Sequence, residues 1–149
     1  MQGDLLTAEI IVAVGRGVKD LEGFALMVRF AEAVHAQVAG TRGAVAEGWL
    51  SMERELGLSG KRVSPRLYIG CGVAGANFHT VGMKDSQTII GINTDRRARI
   101  FELADYAIVD DVKTCITGIL RGLPADPSMG QLIGLFAEYP GVPIGESPV

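Results

Sequence analysis

An apolar run near the amino terminus, Ala8 to Val14, constrains the fold more than any other feature of the chain. From Ile10 onward the run has no polar position, and it ends at Gly15-Arg16-Gly17. A strand of this kind is buried on both faces, which is typical of a parallel sheet covered by helices on each side. The run therefore predicts a central strand of such a sheet.

Four further segments continue the pattern of strand followed by helix. The predicted strands cover 37–40, 66–71, 88–93 and 106–109. Helical spacing of apolar residues begins at Asp20 and again at Asp111, and shorter helical stretches lie between the other strands. This alternation predicts an α/β fold with a doubly wound parallel sheet. Such sheets bind ligands at the carboxyl ends of their strands.

The end of the chain differs in composition from the rest. Residues 124–149 contain all but one of the six prolines, and a short apolar stretch, Leu132 to Phe136, predicts a docked helical turn. We therefore predict a domain over 1–123 and a Pro- and Gly-rich arm over 124–149.

Charge and composition argue against several classes of protein. The 14 basic and 17 acidic residues give a net charge of −3, so binding to nucleic acid is not expected. No apolar run approaches the ~20 residues of a membrane span, and no signal-peptide pattern is visible, so a cytoplasmic location is expected. Cys71 and Cys115 lie in apolar segments without metal-ligand spacing, so no metal site is predicted.

A glycine-rich turn follows the third predicted strand, with the sequence Gly72-Val73-Ala74-Gly75-Ala76. Glycines let a ligand approach the backbone closely, and the start of the next helix would offer free N–H groups to an anion such as a pyrophosphate. The spacing is not that of the GxGxxG motif. A tight turn with close helix packing is therefore an equally open interpretation.

Four polar residues also fall near the ligand edge of the predicted sheet: Arg42, His79, Asn93 and Asp111. Three of them have a structural alternative: a solvated arginine for Arg42, a buried or surface histidine for His79, and a helix cap for Asp111. No nucleophile stands at a motif spacing from a histidine, so no catalytic residue is predicted. The pattern indicates a binding site whose ligand would supply the chemistry.

Eight short segments, read in order, resemble one family. They are GRG (15–17), TRGAV (41–45), LSGK (58–61), PRLYI (65–69), GVAGANFH (72–79), GMKDS (82–86), IGINTD (90–95) and ADYAIV (104–109). Together they resemble the FAD-binding domain of the electron transfer flavoprotein alpha subunit, and the resemblance covers roughly residues 8–121.

The resemblance implies a Rossmann-like, three-layer α/β/α domain that holds FAD noncovalently. It implies an electron carrier rather than an enzyme that converts a substrate. The expected partners are an electron transfer flavoprotein beta subunit and a redox partner dehydrogenase. The alternative is a nucleotide-binding or interaction module that has lost FAD or binds AMP.

The resemblance also assigns roles to the candidate residues. Arg42 would lie against the isoalloxazine, and His79 would hydrogen-bond the O2 side. The Ser59 hydroxyl would lie near flavin N5, and the adjacent Gly60 would keep that loop tight. The backbone from Gly72 through Val73, Ala74 and Gly75 to Ala76 would contact the phosphates and ribityl chain. Asn93 and Asp111 would lie near the adenosine half.

Three positions depart from the family pattern. Ala74 replaces a serine that contacts the phosphate, whereas Phe78 and Leu58 each replace a glutamine. Each lost polar contact is worth roughly 0.5–1.5 kcal/mol. These departures are the observations that favour the alternative function.

Overall fold

A computed structural model describes residues 3–140 and places five strands in one parallel sheet. The strands are β1 (Ile10–Val14), β2 (Gln37–Gly40), β3 (Leu67–Cys71), β4 (Thr88–Asn93) and β5 (Tyr106–Val109). Their order across the sheet is β2-β1-β3-β4-β5, and every neighbouring pair is parallel. The predicted doubly wound sheet is confirmed.

In the described part of the chain, six α-helices connect and cover the strands: α1 (Leu21–Ala33), α2 (Arg42–Ala46), α3 (Asn77–Thr80), α4 (Ile100–Leu103), α5 (Val112–Gly122) and α6 (Met129–Ala137). The two longest begin at aspartates that accept hydrogen bonds from backbone N–H groups, Asp20 from Gly23 and Asp111 from Thr114. These caps explain why both helices start where the sequence predicts. Among residues 3–140, no helix combines the length and apolar character needed to cross a bilayer.

The core lies on both faces of the sheet, because successive strand residues point to opposite sides. In β1, Val12 and Val14 belong to the core shared with α1, α5 and α6, whereas Ile11 and Ala13 belong to the core on the other face. That second face is covered mainly by α4 and by loops. The three-layer architecture is confirmed, with one outer layer built from much shorter helices than the other.

Residues 123–140, the described part of the chain after α5, contain a longer helix than the sequence indicates. The predicted docked turn is present, but it is part of the nine-residue helix α6. The helix begins earlier because Ser128 and Gln131 form a reciprocal capping box, which the sequence reading overlooked. Leu132 and Phe136 are buried, and the Phe136 ring meets Phe30 edge to face at 6.1 Å between centroids. Residues 141–149 lie outside the described residues, and the boundary at 123 stays a prediction.

Candidate functional site

The direction of winding changes between β1 and β3, and a pocket of about 360 Å³ lies at that point. A crevice forms there because the loops after the two strands lead away in opposite directions. Its walls are the loop after β1, the start of α2, and the turn after β3. Lining residues are Gly15, Arg16, Gly17, Thr41, Gly43, Gly72, Ala74, Gly75, Ala76, Phe78, His79 and Asn93. We call this the switch-point pocket.

Two glycines cross at its base. The N–H of Gly17 donates to the carbonyl oxygen of Gly72 at 3.0 Å, and Gly72 has a φ of +68°. A Cβ on either glycine would lie 2.5 Å from the Cα of the other. No larger residue fits without separating the two loops. The tight turn that the sequence left open is therefore present.

The turn after β3 is fastened through its carbonyl groups. The carbonyl of Val73 accepts from Asn93 Nδ2 at 3.0 Å, and that of Ala74 accepts from the Ile100 N–H at 3.0 Å. Within residues 3–140, the N–H groups of Ala74, Gly75 and Ala76 have no acceptor. Consecutive free N–H groups in a turn that includes left-handed glycines are typical of an anion-binding loop.

The expected helix contributes little to this loop. Helix α3 is only four residues long, so its dipole is small. The prediction of an anion site at a helix N-terminus is therefore corrected: the loop of residues 74–76, rather than the helix, offers the donors.

A second groove of about 430 Å³ continues from the switch-point pocket, with which it shares Ala74, Ala76 and Asn93. Its other lining residues are Asp95, Arg97, Ala98 and Arg99. We call it the arginine-lined groove. The sequence reading missed Arg97 and Arg99, although a cluster of arginines directly after a predicted strand was a visible signal. Together the two cavities form an extended groove along the carboxyl edge of the sheet.

The predicted residues Arg42 and Ser59 meet beside the switch-point pocket, although neither is among its lining residues. Arg42 Nη2 donates to Ser59 Oγ at 2.8 Å, and that hydroxyl donates to the buried carboxylate of Glu55 at 2.8 Å. The Arg42 guanidinium also lies 5.2 Å from the centre of the half-exposed Phe78 ring. A Cβ on Gly60 would lie 2.2 Å from the Glu55 carbonyl oxygen, so this loop is too tight for a larger residue at that position.

The His79 imidazole is buried and engaged at both nitrogens. Nδ1 lies 3.2 Å from the carbonyl oxygen of Leu56, and Nε2 lies 2.8 Å from the hydroxyl of Tyr68. A carbonyl can only accept, so Nδ1 donates and Nε2 accepts from Tyr68. Burial lowers the pKa of His79, which favours the neutral ring. The predicted hydrogen bond from His79 to a flavin oxygen therefore finds no free N–H in this arrangement.

Asn93 lines the groove, whereas Asp111 lies outside it. Asn93 lines both cavities, where its side chain holds the loop after β3 and accepts from the Asp95 N–H at 2.9 Å. Asp111 lines neither cavity. It caps α5 and accepts from Lys19 Nζ at 2.9 Å, and these hydrogen bonds lower the pKa of Asp111 to about 2. The helix-cap interpretation of Asp111 matches this geometry.

The sheet and its groove define a class of protein, the doubly wound α/β domains that bind ligands at the carboxyl edge of the sheet. A family model described as the electron transfer flavoprotein FAD-binding domain matches residues 4–84, more than half of the 149 residues. The chain belongs to this family. The family indicated by the sequence motifs is therefore confirmed.

Individual relatives agree with the family match. The chain is 47% identical over 109 residues to the electron transfer flavoprotein subunit alpha of Bacillus subtilis, covering 73% of this chain and 34% of the relative. It is 45% identical over 117 residues to the protein FixB of Clostridium saccharobutylicum, covering 78% and 35%. It is 42% identical over 121 residues to the mitochondrial subunit alpha of Oryza sativa subsp. indica, covering 81% and 34%. The chain thus spans about a third of the length of these relatives.

Proposed function

We propose that this chain binds FAD in the extended groove and serves as the flavin domain of an electron carrier. The proposal rests on the loop at Ala74–Ala76, which lies at the switch point of the sheet. The N–H groups of this loop have no acceptor within residues 3–140. An anionic diphosphate is the ligand group that such a loop binds best. FAD would supply the redox chemistry, and the chain would bind and orient it.

The shape of the groove supports a dinucleotide. Phe78 lines the switch-point pocket, and the Arg42 guanidinium lies against its ring beside the pocket, an arrangement that suits a planar conjugated ligand. The arginine-lined groove continues beyond the loop on the other side. An extended ligand with a planar ring at one end and charged groups further along matches this order of surfaces.

Arg42 would tune the ligand once it is bound. Reduction adds negative charge to the flavin ring, and a nearby cation stabilises the reduced form relative to the oxidised form. The hydrogen bond to Ser59 and the contact with Glu55, 3.9 Å from Nε, fix where that cation sits. Arg42 is therefore expected to raise the reduction potential.

A redox titration of the FAD-loaded chain tests this role. The potential should fall by tens of millivolts in Arg42→Ala, since ~30 mV corresponds to ~1.4 kcal/mol for a two-electron couple. Arg42→Lys should retain part of the effect. Arg66→Ala removes an exposed arginine just before β3, at the opposite edge of the sheet, and is the matched control. Equal potentials in all four proteins would contradict the proposed role of Arg42.

The partners follow from the relatives' names. The relatives are subunits of electron transfer flavoproteins, so we propose a beta subunit as partner and a dehydrogenase as electron donor. Co-purification of the chain with a beta subunit, followed by reduction with a dehydrogenase and its substrate, tests both. A flavin that stays oxidised in that mixture would remove the dehydrogenase from the proposal.

The second candidate is a nucleotide-binding or interaction module that has lost FAD or binds AMP. The exposed Leu58 and Phe78 favour it, because two apolar side chains stand where the family has polar ones. Phe78 also occupies one face of the Arg42 guanidinium. Parallel titrations with FAD and AMP separate the two functions, since this candidate predicts that AMP binds as tightly as FAD or more tightly.

A further inference from the structure

Two arginines, Arg97 and Arg99, line the groove beyond the anion-binding loop. Arg97 and Arg99 are both exposed and line the arginine-lined groove. Within residues 3–140 neither guanidinium takes part in an ion pair. The one acidic residue in the same lining is Asp95, whose carboxylate accepts a hydrogen bond from the backbone N–H of Arg97 at 2.9 Å. The lining thus carries two positive charges against one negative charge.

The segment that carries these arginines packs its backbone against the anion-binding loop. The N–H of Ile100, the residue after Arg99, donates to the carbonyl of Ala74 at 3.0 Å. A Cβ on Gly75 would lie 2.2 Å from that nitrogen and 2.9 Å from the carbonyl carbon of Arg99. The backbone of Arg99 therefore rests directly against the loop whose N–H groups have no acceptor within the described chain.

The combination suits one kind of ligand group. Guanidinium groups bind phosphate oxygens through paired hydrogen bonds, and backbone N–H groups in a turn bind the same oxygens. A diphosphate presents enough oxygens to use both sets of donors. A single phosphate ester has too few oxygens to accept from all of the guanidinium and backbone N–H donors.

We propose that Arg97 and Arg99, with the N–H groups of Ala74–Ala76, form a diphosphate subsite that binds the adenosine diphosphate half of the ligand. The subsite would offset the phosphate contact that Ala74 cannot make with its side chain. It would also select a dinucleotide over a flavin mononucleotide. The identity of the complete ligand rests on the proposed function, whereas the diphosphate subsite can be tested without any flavin.

Calorimetric titration of the full chain with ADP, FAD and FMN tests the subsite. Arg97→Ala and Arg99→Ala should each weaken ADP and FAD by about tenfold, equivalent to ~1.4 kcal/mol, and leave FMN unchanged. Raised salt should weaken ADP binding more in the wild type than in either variant, because salt screens exposed charges. Arg66→Ala removes the same charge from the other edge of the sheet and should bind all three ligands normally. Circular dichroism checks that each variant is folded.

The outcomes separate the subsite from the proposed function. If FAD binds equally to the wild type and both arginine variants, the subsite is refuted and the FAD function stands. If ADP binds in an arginine-dependent way and FAD does not bind, the subsite stands and the FAD function is refuted. If neither ADP nor FAD binds, both are refuted.

Discussion

The crossing of Gly17 and Gly72 permits a quantitative test by substitution of Gly72 with alanine. Gly72 has a φ of +68°, which costs an alanine about 1–2 kcal/mol. The added Cβ would also lie 2.5 Å from backbone atoms of Gly17, and overpacking of this kind costs about 1–3 kcal/mol. Gly72→Ala should therefore lower the free energy of unfolding by about 2–5 kcal/mol.

Gly48→Ala is the matched control. Gly48 has a similar φ of +86°, but a Cβ there would meet nothing within 4 Å. Both substitutions carry the cost of an alanine in a left-handed backbone, and both stabilise the protein by stiffening the unfolded chain. The difference between their unfolding free energies therefore measures the steric cost at the crossing of Gly17 and Gly72. Urea unfolding should show Gly72→Ala to be less stable than Gly48→Ala by about 1–3 kcal/mol.

The same pair of variants reports on the site. Separation of the two loops should also weaken FAD binding in Gly72→Ala and leave it unchanged in Gly48→Ala. Equal unfolding free energies, together with equal FAD affinities, would refute the argument that the close crossing shapes the pocket.

Three other predictions concern different parts of the molecule. Phe136→Ala should lower the free energy of unfolding, measured by urea unfolding, by about 3–5 kcal/mol, because the ring is buried in the core. Leu103→Ala is the control and should cost much less, because Leu103 is more exposed. Phe78→Gln should tighten FAD binding up to about tenfold, because it adds a polar contact and frees one face of the Arg42 guanidinium. An unchanged Kd for FAD would mean that Phe78 does not face the ligand. The pKa of His79 is lowered in the folded protein, so the unfolded chain binds the proton more tightly. Stability should therefore be complete above the ordinary histidine pKa of 6.5 and should fall as the pH drops below it. Urea unfolding at several pH values checks this, and His79→Gln should flatten that part of the profile; an unchanged slope would remove His79 as the cause.

The sheet was predictable because its strands carry a strong local signal. β1 and β3 are apolar on both faces, and the strands end at glycine, asparagine or aspartate, so their number, order along the chain and approximate bounds follow from the sequence. The helices capped by Asp20 and Asp111 were predictable for the same reason. By contrast, the start of α6 depends on a reciprocal contact between Ser128 and Gln131, which is weak as a pattern among prolines and glycines.

The site was less predictable, because its chemistry depends on contacts between residues distant in the chain. Nothing local to His79 shows that Tyr68 and the Leu56 carbonyl occupy both of its ring nitrogens. Asp111 lies at the end of a strand, as ligand residues do, yet it pairs with Lys19 from the loop after β1. The resemblance assigns Arg42 and Ser59 to the same ligand ring, and the structure joins their side chains directly, whereas their roles toward a flavin stay predictions.

The most direct test of the central claim is the visible absorption spectrum of the purified chain after incubation with FAD and gel filtration. Flavin absorption should travel with the protein, because the anion-binding loop and the extended groove would hold the cofactor without a covalent bond. Protein that leaves the column without flavin, both alone and mixed with an electron transfer flavoprotein beta subunit, would contradict the claim.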